Sequence, residues 1–515
     1  MIRSMFTVGG FTLLSRILGF IRDKLIAFYL GGGGMGDVWV AAFRFPNLFR
    51  RIFGEGAFNA AFVPMYGRRL EEQGDEVADA FARRTLSLMF TILMTCFVLA
   101  FIFMEPIVKL TNIGFATDGR LEPAVMASRI TVVYLVFICL VAGLSGVLNT
   151  RRNFSAPAFA YVVLNIVFLI ALGVVIPKTG EPLKVLSWTV VVSGVVQLLV
   201  VVIACIRQGV NIRPRLPVID GDMKKLGLLM APGLASAGIQ QINLLVGQSV
   251  ASLQKGGITA IYFADRINQL PLGLIGMAGG VVLLTEITRN LRSGDDAGAR
   301  TCLNQGMEMS LLLCLPAMVA MLVIPREMMF TIFEGGKFTA EAAIEAGYVL
   351  GAFALGTPAY ILSKVLQPAY FAREDTKTPM RFTIASAVTN IILVYPFFLW
   401  LGPTGCALAT TVAGWTGFLL LWFGLRNSGF MGFIPGFFSR VTRMCLSSLI
   451  MGGVIWTMAY YGKPWLMNAD NFVLRVGTMG VIVVTGLIVY FVAVIATRVY
   501  SISELKSRLG RRRRS

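Results

Sequence analysis

Long apolar runs recur along the whole of this 515-residue chain, separated by short polar breaks. Each run holds about 20 residues, which is the length that a helix needs to cross the hydrocarbon core of a bilayer. We interpret the first run as a retained span rather than a signal peptide, because polar residues interrupt its middle and no small-residue cleavage site follows it. The pattern predicts an all-α integral membrane protein, whereas a β-barrel would show shorter, alternating strands.

The polar breaks divide the chain into fourteen predicted transmembrane helices. Their approximate limits are 5–30, 37–66, 83–108, 124–149, 156–176, 185–206, 225–253, 258–288, 301–324, 342–371, 379–401, 403–425, 440–461 and 473–497. We predict five segments: a lobe of six spans at 1–210, a cytoplasmic linker at 211–224, a second lobe of six spans at 225–430, a final pair of spans at 431–498 and a basic cytoplasmic tail at 499–515.

The composition agrees with a membrane protein and argues against a metal site. Hydrophobic residues make up 56% of the chain and charged residues 14%, where a soluble protein has about 25% charged residues. Histidine, the commonest metal ligand, is absent. The seven cysteines form no CxxC pair and lie mostly within apolar runs, which is typical of small buried side chains. No cofactor and no metal are therefore predicted.

The placement of the basic residues predicts the topology. The formal net charge is +19. If the N-terminus is cytoplasmic, the inner loops and termini hold 28 of the 46 Lys and Arg residues and the outer loops hold 9. This bias supports an even number of spans and two cytoplasmic termini. The tail "RLGRRRRS" follows the last span, so we expect it to contact anionic membrane lipids or only to fix the topology, and not to bind nucleic acid.

The first span contains the stretch "SRILGFIRDKLIAF", which places charges in an apolar run. On a helical wheel Ser15, Arg16, Gly19, Arg22 and Asp23 fall within one arc of about 120°. Leucine, isoleucine and phenylalanine fill the opposite side. The polar residues form a stripe, so the helix can turn them away from lipid.

The second span carries another polar face. Its members are Asp37, Arg44, Arg51 and Glu55, with Asn47 and Arg50 beside them. The first four are spaced by 7, 7 and 4 residues, which puts them within about 40° of one another on a helix. Pro46 lies within this span and predicts a kink.

These arginines need a wet or paired environment. Each central arginine costs roughly 2.5–3.5 kcal/mol on insertion scales, so four of them facing lipid would cost on the order of 10 kcal/mol. Buried ion pairs that only fix helix packing are one alternative. The first two spans, however, hold six cations and three anions. The surplus positive charge favours a cavity that binds an anion, and guanidinium groups suit phosphate.

A weak internal repeat relates the two halves of the chain. A shift of 222 residues places Arg44 over Arg266 and Asn47 over Gln269. Both stretches lie early in the second span of a block of six, which predicts two parallel lobes around a central site, as in alternating-access transporters. Arg266 then faces the first-lobe arginines, with a self-satisfied Asp265–Arg266 pair as the alternative.

Four stretches, "SRILGFIRD", "FRFPNLFRRIFGEGAFNAAFVP", "YFADRINQLPLG" and "AREDTKTP", resemble motifs of the MurJ (MviN) family. The family consists of lipid II flippases in the multidrug/oligosaccharidyl-lipid/polysaccharide exporter superfamily. The resemblance extends over essentially the whole chain. It implies a V-shaped bundle of two six-helix lobes around a cationic cavity, with the last two spans bordering a groove for the lipid tail.

The resemblance also implies a function and a set of site residues. The substrate would be lipid II, the undecaprenyl-diphosphate-linked peptidoglycan precursor, moved from the inner to the outer leaflet of the bacterial cytoplasmic membrane by alternating access. Arg16, Arg22, Asp23 and Arg266 would surround the diphosphate. The cavity and its gate would be formed by Ser15, Gly19, Asp37, Arg44, Asn47, Arg50, Arg51, Glu55, Asp265 and Gln269.

Two departures from the family pattern affect these expectations. Gln269 stands where the family has an acidic residue, so a gate pair that needs this carboxylate is not expected. Some members resemble sodium binders with carboxylates on the seventh and eleventh spans. The comparable stretches of this chain offer Gln241, Asn243, Ser386 and Asn390 instead. Sodium coupling is therefore not predicted.

Three alternatives to lipid II transport follow from the sequence. A transporter of the same superfamily could export a drug or another lipid-diphosphate-linked glycan, although a cationic drug would favour surplus carboxylates. A membrane enzyme would need acidic residues near the interface, and its best candidate is the pair Asp295–Asp296, which we interpret as a turn or helix cap. A structural partner of cell-wall synthesis proteins would not need buried arginines. We predict a transporter rather than an enzyme.

Overall fold

The computed structural model describes residues 2–51, 57–213, 216–468 and 471–499. The first eleven α-helices are α1 (Ile2–Leu30), α2 (Gly34–Phe49), α3 (Ala57–Gln73), α4 (Asp75–Ile102), α5 (Met104–Thr111), α6 (Leu121–Thr131), α7 (Tyr134–Thr150), α8 (Ser155–Ile170), α9 (Ile176–Thr179), α10 (Pro182–Arg207) and α11 (Gly221–Ala251). A π-helical turn, Ala171–Val175, joins α8 to α9.

Eight further helices complete the described part of the chain. They are α12 (Gly257–Arg292), α13 (Asp296–Val323), α14 (Pro325–Phe333), α15 (Ala340–Phe371), α16 (Lys377–Leu401), α17 (Pro403–Asn427), α18 (Phe437–Leu466) and α19 (Phe472–Ala496). The predicted all-α membrane fold is confirmed. Glu55 and most of the basic tail, together with 214–215 and 469–470, lie outside the described residues.

Ten candidate spans in the described ranges are long and apolar enough to cross a membrane, and two of them combine neighbouring helices, α6 with α7 and α8 with α9. The helix α11 is an eleventh if its bent halves count as one span. The helices α1 and α12 are also long, with 29 and 36 residues. They carry the charged residues of the first and eighth predicted spans, which lowers their hydropathy. The number fourteen stays a prediction.

The chain divides into two compact units. Unit 1 comprises residues 1–258 together with Gly336–Phe338, and unit 2 comprises 259–335 and 339–515. In unit 1, α1 packs on α8, α8 on α10, and α10 on α7, while α3 packs on α4, α7 and α11. The seventh predicted span, α11, thus belongs to unit 1 by its contacts. The division into lobes at 225 stays a prediction.

The end of α1 is closed by a short segment from far along the chain. Gly31 ends the helix with a φ of +78°, a left-handed conformation that glycine adopts without strain. The N–H of Lys337 donates a hydrogen bond of 2.8 Å to the carbonyl of Phe28, which satisfies one of the open carbonyls of the last turn. A Cβ atom on Gly31 would lie 2.5 Å from the carbonyl oxygen of Lys337, so no other residue fits here.

The linker that follows α10 is fastened to unit 1 at its start. The buried Asp79 accepts hydrogen bonds from the Tyr66 hydroxyl at 3.0 Å, from Arg151 at 2.9 Å and from the N–H of Asn211 at 2.8 Å. A buried carboxylate with three donors is well compensated. These bonds fix the first residues of the linker against α3 and α4.

The end of the linker is fastened as well. Asp220 caps α11 by accepting a hydrogen bond of 2.9 Å from the N–H of Met223, and it also pairs with Arg84. Asp222 pairs with Arg69 at 2.6 Å. Both ends of the linker are thus bonded to unit 1.

Unit 2 is built around α15. This helix packs on α13, α14 and α17, and most residues of its apolar stretch are buried, whereas few of those in α16 are. The final pair α18 and α19 pack on each other, and α18 packs on α13. One continuous hydrophobic cluster includes Leu311, Leu366, Leu425, Met444 and Tyr490. The final pair therefore shares the core of unit 2.

A buried ion pair also holds α18 to α13. Arg440 Nη1 donates to both carboxylate oxygens of Glu308, at 3.0 and 2.9 Å, and Glu308 is fully buried. Replacing Arg440 with methionine leaves this carboxylate buried without its arginine, so we expect the free energy of unfolding to fall by about 3 kcal/mol. Denaturant unfolding of the purified protein in detergent measures this change. The control Arg443→Met removes an exposed arginine of the same helix, and an equal loss in both variants would contradict the prediction.

Candidate functional site

Arg22 and Asp23 form a buried ion pair on α1. They are 6% and 4% exposed. Arg22 Nε and Nη2 both donate to Asp23 Oδ1, at 3.1 and 2.8 Å. The pair uses the side edge of the guanidinium group, the edge formed by Nε and Nη2. The polar stripe that the wheel predicted on α1 therefore includes a buried charged centre.

Asn165 of α8 completes the surroundings of Arg22. Its Oδ1 atom accepts a hydrogen bond of 3.0 Å from Arg22 Nη1. Its Nδ2 atom donates to the carbonyl of Ser15 at 3.0 Å, to the Ser15 hydroxyl at 3.1 Å and to the carbonyl of Tyr161 at 3.2 Å. Gly19 faces this amide, since a Cβ atom there would lie 3.6 Å from Asn165 Oδ1. One residue of α8, Asn165, thus contacts Ser15, Gly19 and Arg22 of α1.

Aromatic rings surround the guanidinium group of Arg22. Its Cζ atom lies 5.4 Å from the ring centre of Phe168 and 6.0 Å from that of Phe43. Trp39 stacks on Phe43 with 5.3 Å between ring centres. The electron-rich ring faces attract a cation, so residues of α1, α2 and α8 together stabilise the guanidinium group of Arg22 at this place.

Arg16 lies on the same helix in a different environment. It is exposed, and it makes no ion pair with any residue that the structure describes. The apolar side of α1 is also exposed, with Leu13 at 61% and Ile17 at 51%. Exposed apolar residues on a membrane helix are typical of a lipid-facing surface. Arg16 is thus accessible, whereas Arg22 is enclosed.

Arg44 of α2 lies in a polar chain that leads to α11. Its Nη1 atom donates to Gln248 Oε1 at 2.9 Å, and Gln248 Nε2 donates to Asn112 Oδ1 at 2.7 Å. A small pocket is lined by Arg44 and Gln248 together with apolar residues such as Phe45 and Met104. Arg44 therefore has a neutral hydrogen-bond partner here.

Asp37 of α2 is fully buried and pairs with Arg120, which lies between the predicted spans 83–108 and 124–149. Arg120 Nη1 donates to Asp37 Oδ2 at 2.6 Å, and the N–H of Gly256 donates to the same oxygen at 2.7 Å. Arg120 Nη2 donates to the carbonyl of Ser252 at 2.6 Å. The cluster joins the start of α2 to the loop before α6 and to the end of α11.

Asp118 shares Arg120 with Asp37. Arg120 Nε donates to both carboxylate oxygens of Asp118, at 2.9 and 2.7 Å. Partial burial alone would raise the pKa of Asp118, but the hydrogen bonds and the charge of Arg120 outweigh it and lower the pKa below its ordinary value. The carboxylate therefore stays ionised and keeps Arg120 in place.

The other predicted residues of the second span lie at the end of α2. Asn47 accepts a hydrogen bond of 3.1 Å from Arg50 Nε and donates one of 2.8 Å to the carbonyl of Phe43. Arg51 is exposed. Glu55, predicted on the same face, lies outside the described residues, and α2 ends at Phe49 as a regular helix. Pro46 lies inside α2.

The three candidates of unit 2 lie on α12. Arg266 Nη2 donates to the Tyr262 hydroxyl at 3.0 Å, and its Cζ atom lies 5.1 Å from the Tyr262 ring centre. Gln269 Nε2 donates to Asp265 Oδ2. The amide at 269 thus bonds the carboxylate one turn earlier. The acidic pair considered for an enzyme is different, because Asp295 caps α13 by accepting a hydrogen bond from the N–H of Gly298.

Two partners in these clusters were not identified from the sequence. Asn165 is a polar residue in the middle of the apolar run 156–176, and that position was the signal available. Arg120 lies between the predicted spans 83–108 and 124–149, and no pattern in the sequence indicates that it is 5% exposed. Both supply hydrogen bonds to charged residues that the sequence had identified.

A bundle of long apolar helices with buried charged residues defines a multi-pass membrane protein. The chain is similar in fold to an inward-facing structure of a multidrug resistance MATE family transporter of the MOP superfamily. The TM-score is 0.69 at 14% identity, over 81% of this chain and 95% of that one. At this identity the match shows the fold alone.

The chain belongs to the lipid II flippase MurJ family. The family model matches residues 26–476. A probable lipid II flippase MurJ of Rhizobium tropici is 38% identical over 518 residues, covering 100% of this chain and 97% of the relative. A solved structure of lipid II flippase MurJ in an inward closed conformation matches with a TM-score of 0.77 and 26% identity, over 94% of this chain and 97% of that one.

Membership of this family confirms the resemblance found in the motifs. The family consists of flippases rather than enzymes, and the chain is a multi-pass protein of the bacterial inner membrane. The family match leaves open which residues contact the substrate, so the individual site residues stay predictions.

Proposed function

We propose that this protein moves lipid II from the inner to the outer leaflet of the cytoplasmic membrane by alternating access. The observation that carries the proposal is the Arg22 cluster of α1, a guanidinium group held by Asp23 and Asn165 in a chain of the lipid II flippase family. A solved relative in an inward closed conformation supports a cycle of this kind.

The substrate and the site fit one another chemically. A diphosphate presents several anionic oxygens, and guanidinium groups bind such oxygens through paired N–H donors. Arg22 has five N–H groups. Three of them donate to Asp23 and Asn165, and no described residue accepts the other two, one on each Nη atom. Two phosphate oxygens can bind the end edge of the guanidinium group, which is the edge formed by Nη1 and Nη2.

We propose that four residues surround the diphosphate, namely Arg16, Arg22, Asp23 and Arg266. Arg16 is exposed and supplies an accessible positive charge for the first encounter, because electrostatic attraction raises the rate of association. The candidate cavity and gate residues keep the roles that the family resemblance implies. Arg44 donates a hydrogen bond to the neutral amide of Gln248.

The opposite preferences of head and tail explain why a protein is needed. A diphosphate with sugar and peptide cannot cross hydrocarbon unaided, whereas a polyprenyl chain prefers it. We propose that the head crosses through the protein while the tail stays in lipid, bordered by α18 and α19. With both termini in the cytoplasm, an inside-negative potential favours return of the emptied cationic site, by about 2.3 kcal/mol per charge per 100 mV. Membrane lipids and cell-wall synthesis proteins are further proposed partners.

Lipid recovered from the purified protein tests the substrate. We expect native mass spectrometry to show bound lipid II, and proteoliposomes with the protein to flip lipid II faster than protein-free liposomes. Undecaprenyl diphosphate with a different glycan serves as the comparison. Equal flipping of both lipids would favour a broader lipid-diphosphate transporter, and bound lipids without a diphosphate would contradict the proposal.

A further inference from the structure

The side-chain amide of Asn165 makes two different kinds of contact, one through its oxygen and one through its nitrogen. Its oxygen faces the charged Arg22, and its nitrogen faces the backbone carbonyls of Ser15 and Tyr161. Asn165 is 4% exposed. The reverse orientation of the amide would place its NH₂ group against the guanidinium N–H groups, donor against donor, so Arg22 fixes the orientation.

Only an amide satisfies both sets of contacts. An aspartate would offer acceptors alone, and a leucine would offer neither donor nor acceptor. A carboxylate would also be a second anion beside Arg22, which already pairs with Asp23. The amide holds the guanidinium group without changing its charge.

The contacts also determine where Arg22 points. Asp23 occupies the side edge through Nε and Nη2, and Asn165 takes one N–H of Nη1. Two anchors on different nitrogens define the plane of the group as well as its direction. Phe168 lies against the guanidinium group, with 5.4 Å between Cζ and the ring centre. The end edge, formed by Nη1 and Nη2, is therefore presented in a fixed direction.

Gly19 lies beside the Asn165 amide, at ordinary van der Waals distance. It lies one turn from Ser15 on α1, and a Cβ atom there would be 3.6 Å from Asn165 Oδ1. The Ser15 hydroxyl also approaches the carbonyl of Tyr161, at 3.4 Å. The polar stripe of α1 and one turn of α8 thus form a single hydrogen-bonded contact.

We infer that Asn165 is a positioning residue that orients the end edge of Arg22 toward the diphosphate of the substrate. The inference rests on the proposed function and adds a residue to it. Asn165 acts through Arg22 and does not itself contact the substrate. Its neutral amide preserves the affinity of the site for an anion, because it adds no competing charge.

Inorganic diphosphate is the probe that separates positioning from packing. We expect Asn165→Asp, which has nearly the same shape, to weaken diphosphate binding to the purified full chain by roughly tenfold to a hundredfold, since it adds a competing carboxylate beside Arg22. Asn165→Leu weakens binding roughly tenfold through loss of orientation. Calorimetry in detergent measures both, on samples whose folded fraction is matched by thermal unfolding.

Two further variants make the comparison specific. Gln197 is a second buried amide that bonds α8, donating to the carbonyl of Ala160 at 3.0 Å and accepting from Tyr134 at 3.0 Å. We expect Gln197→Leu to lower thermal stability and to leave diphosphate affinity within about twofold of the wild type. The exchange D23N/N165D returns the number of carboxylates to one, and we expect it to bind more tightly than Asn165→Asp.

The binding measurements test the positioning role of Asn165 separately from the proposed function. Wild-type protein that binds diphosphate, with Asn165 variants that bind equally well once folded, would overturn the positioning role and leave the proposed function intact. Wild-type protein that does not bind diphosphate would contradict the proposed site and the positioning role together. Equal loss of affinity in the Asn165 and Gln197 variants would show a packing effect and overturn the inference.

Discussion

Replacing Arg22 with alanine lowers lipid II flipping by about a hundredfold at limiting substrate. The change removes a guanidinium group that can donate two charge-assisted hydrogen bonds to the diphosphate, worth about 3 kcal/mol or more together. A flipping assay in proteoliposomes, with the amount of inserted protein matched, measures this loss. Arg16→Ala and Arg266→Ala are expected to lower flipping as well, and normal export in all three variants would contradict the proposed site.

The variant Arg22→Ala also leaves the buried Asp23 without its arginine, which destabilises the fold. The double variant R22M/D23N removes both charges, so no buried carboxylate lacks a counter-ion. We expect it to unfold close to the wild-type temperature and still to lack activity. Arg22→Lys keeps the charge and loses the forked donor geometry, so its activity is expected to fall between the two. Wild-type flipping by the folded double variant would rule out a role for Arg22.

Replacing Arg120 with alanine gives the largest expected loss of stability. The change leaves Asp37, which is 0% exposed, without its arginine, and it also removes the bonds to Asp118 and Ser252. Breaking a buried pair in this way costs about 3–5 kcal/mol. The free energy of unfolding in detergent, from denaturant titration, measures the effect.

Two comparison variants identify the cause. The double variant R120M/D37N removes both charges, and we expect it to recover much of the lost stability, because the uncompensated carboxylate accounts for most of the penalty. Arg129→Ala removes an exposed arginine of α6 and should change stability by less than about 1 kcal/mol. If Arg120→Ala and Arg129→Ala destabilise equally, the Asp37 cluster does not carry the stability assigned to it.

The hydropathy pattern located the helices better than it located their ends. The predicted span 342–371 corresponds to α15 within two residues. The predicted span 83–108 corresponds to α4, which begins at Asp75 because a polar stretch extends the helix beyond its apolar part. Apolar runs report the thickness of the hydrocarbon, whereas backbone hydrogen bonds continue past it. The predicted span 37–66 is divided, since α2 ends at Phe49 and α3 begins at Ala57.

The sequence identified the charged members of the site and missed their neutral partners. Arg22 and Asp23 stand out because charges within an apolar run are costly and need an explanation. Asn165 lies 143 residues from Arg22, and a single polar residue in an apolar run does not indicate which helix it faces. Arg120 lies 83 residues from Asp37, and its place in a loop predicted exposure. Such pairings arise from tertiary contacts that spacing along one helix cannot reveal.

Residues Gly336–Phe338 belong to unit 1 although the chain around them belongs to unit 2. The N–H of Lys337 completes the last turn of α1, more than 300 residues earlier in the chain. During synthesis the ribosome must therefore have made more than half of the protein before the first helix obtains this bond. A fragment that stops at residue 258 would lack it, so the first half cannot assemble fully as an isolated polypeptide.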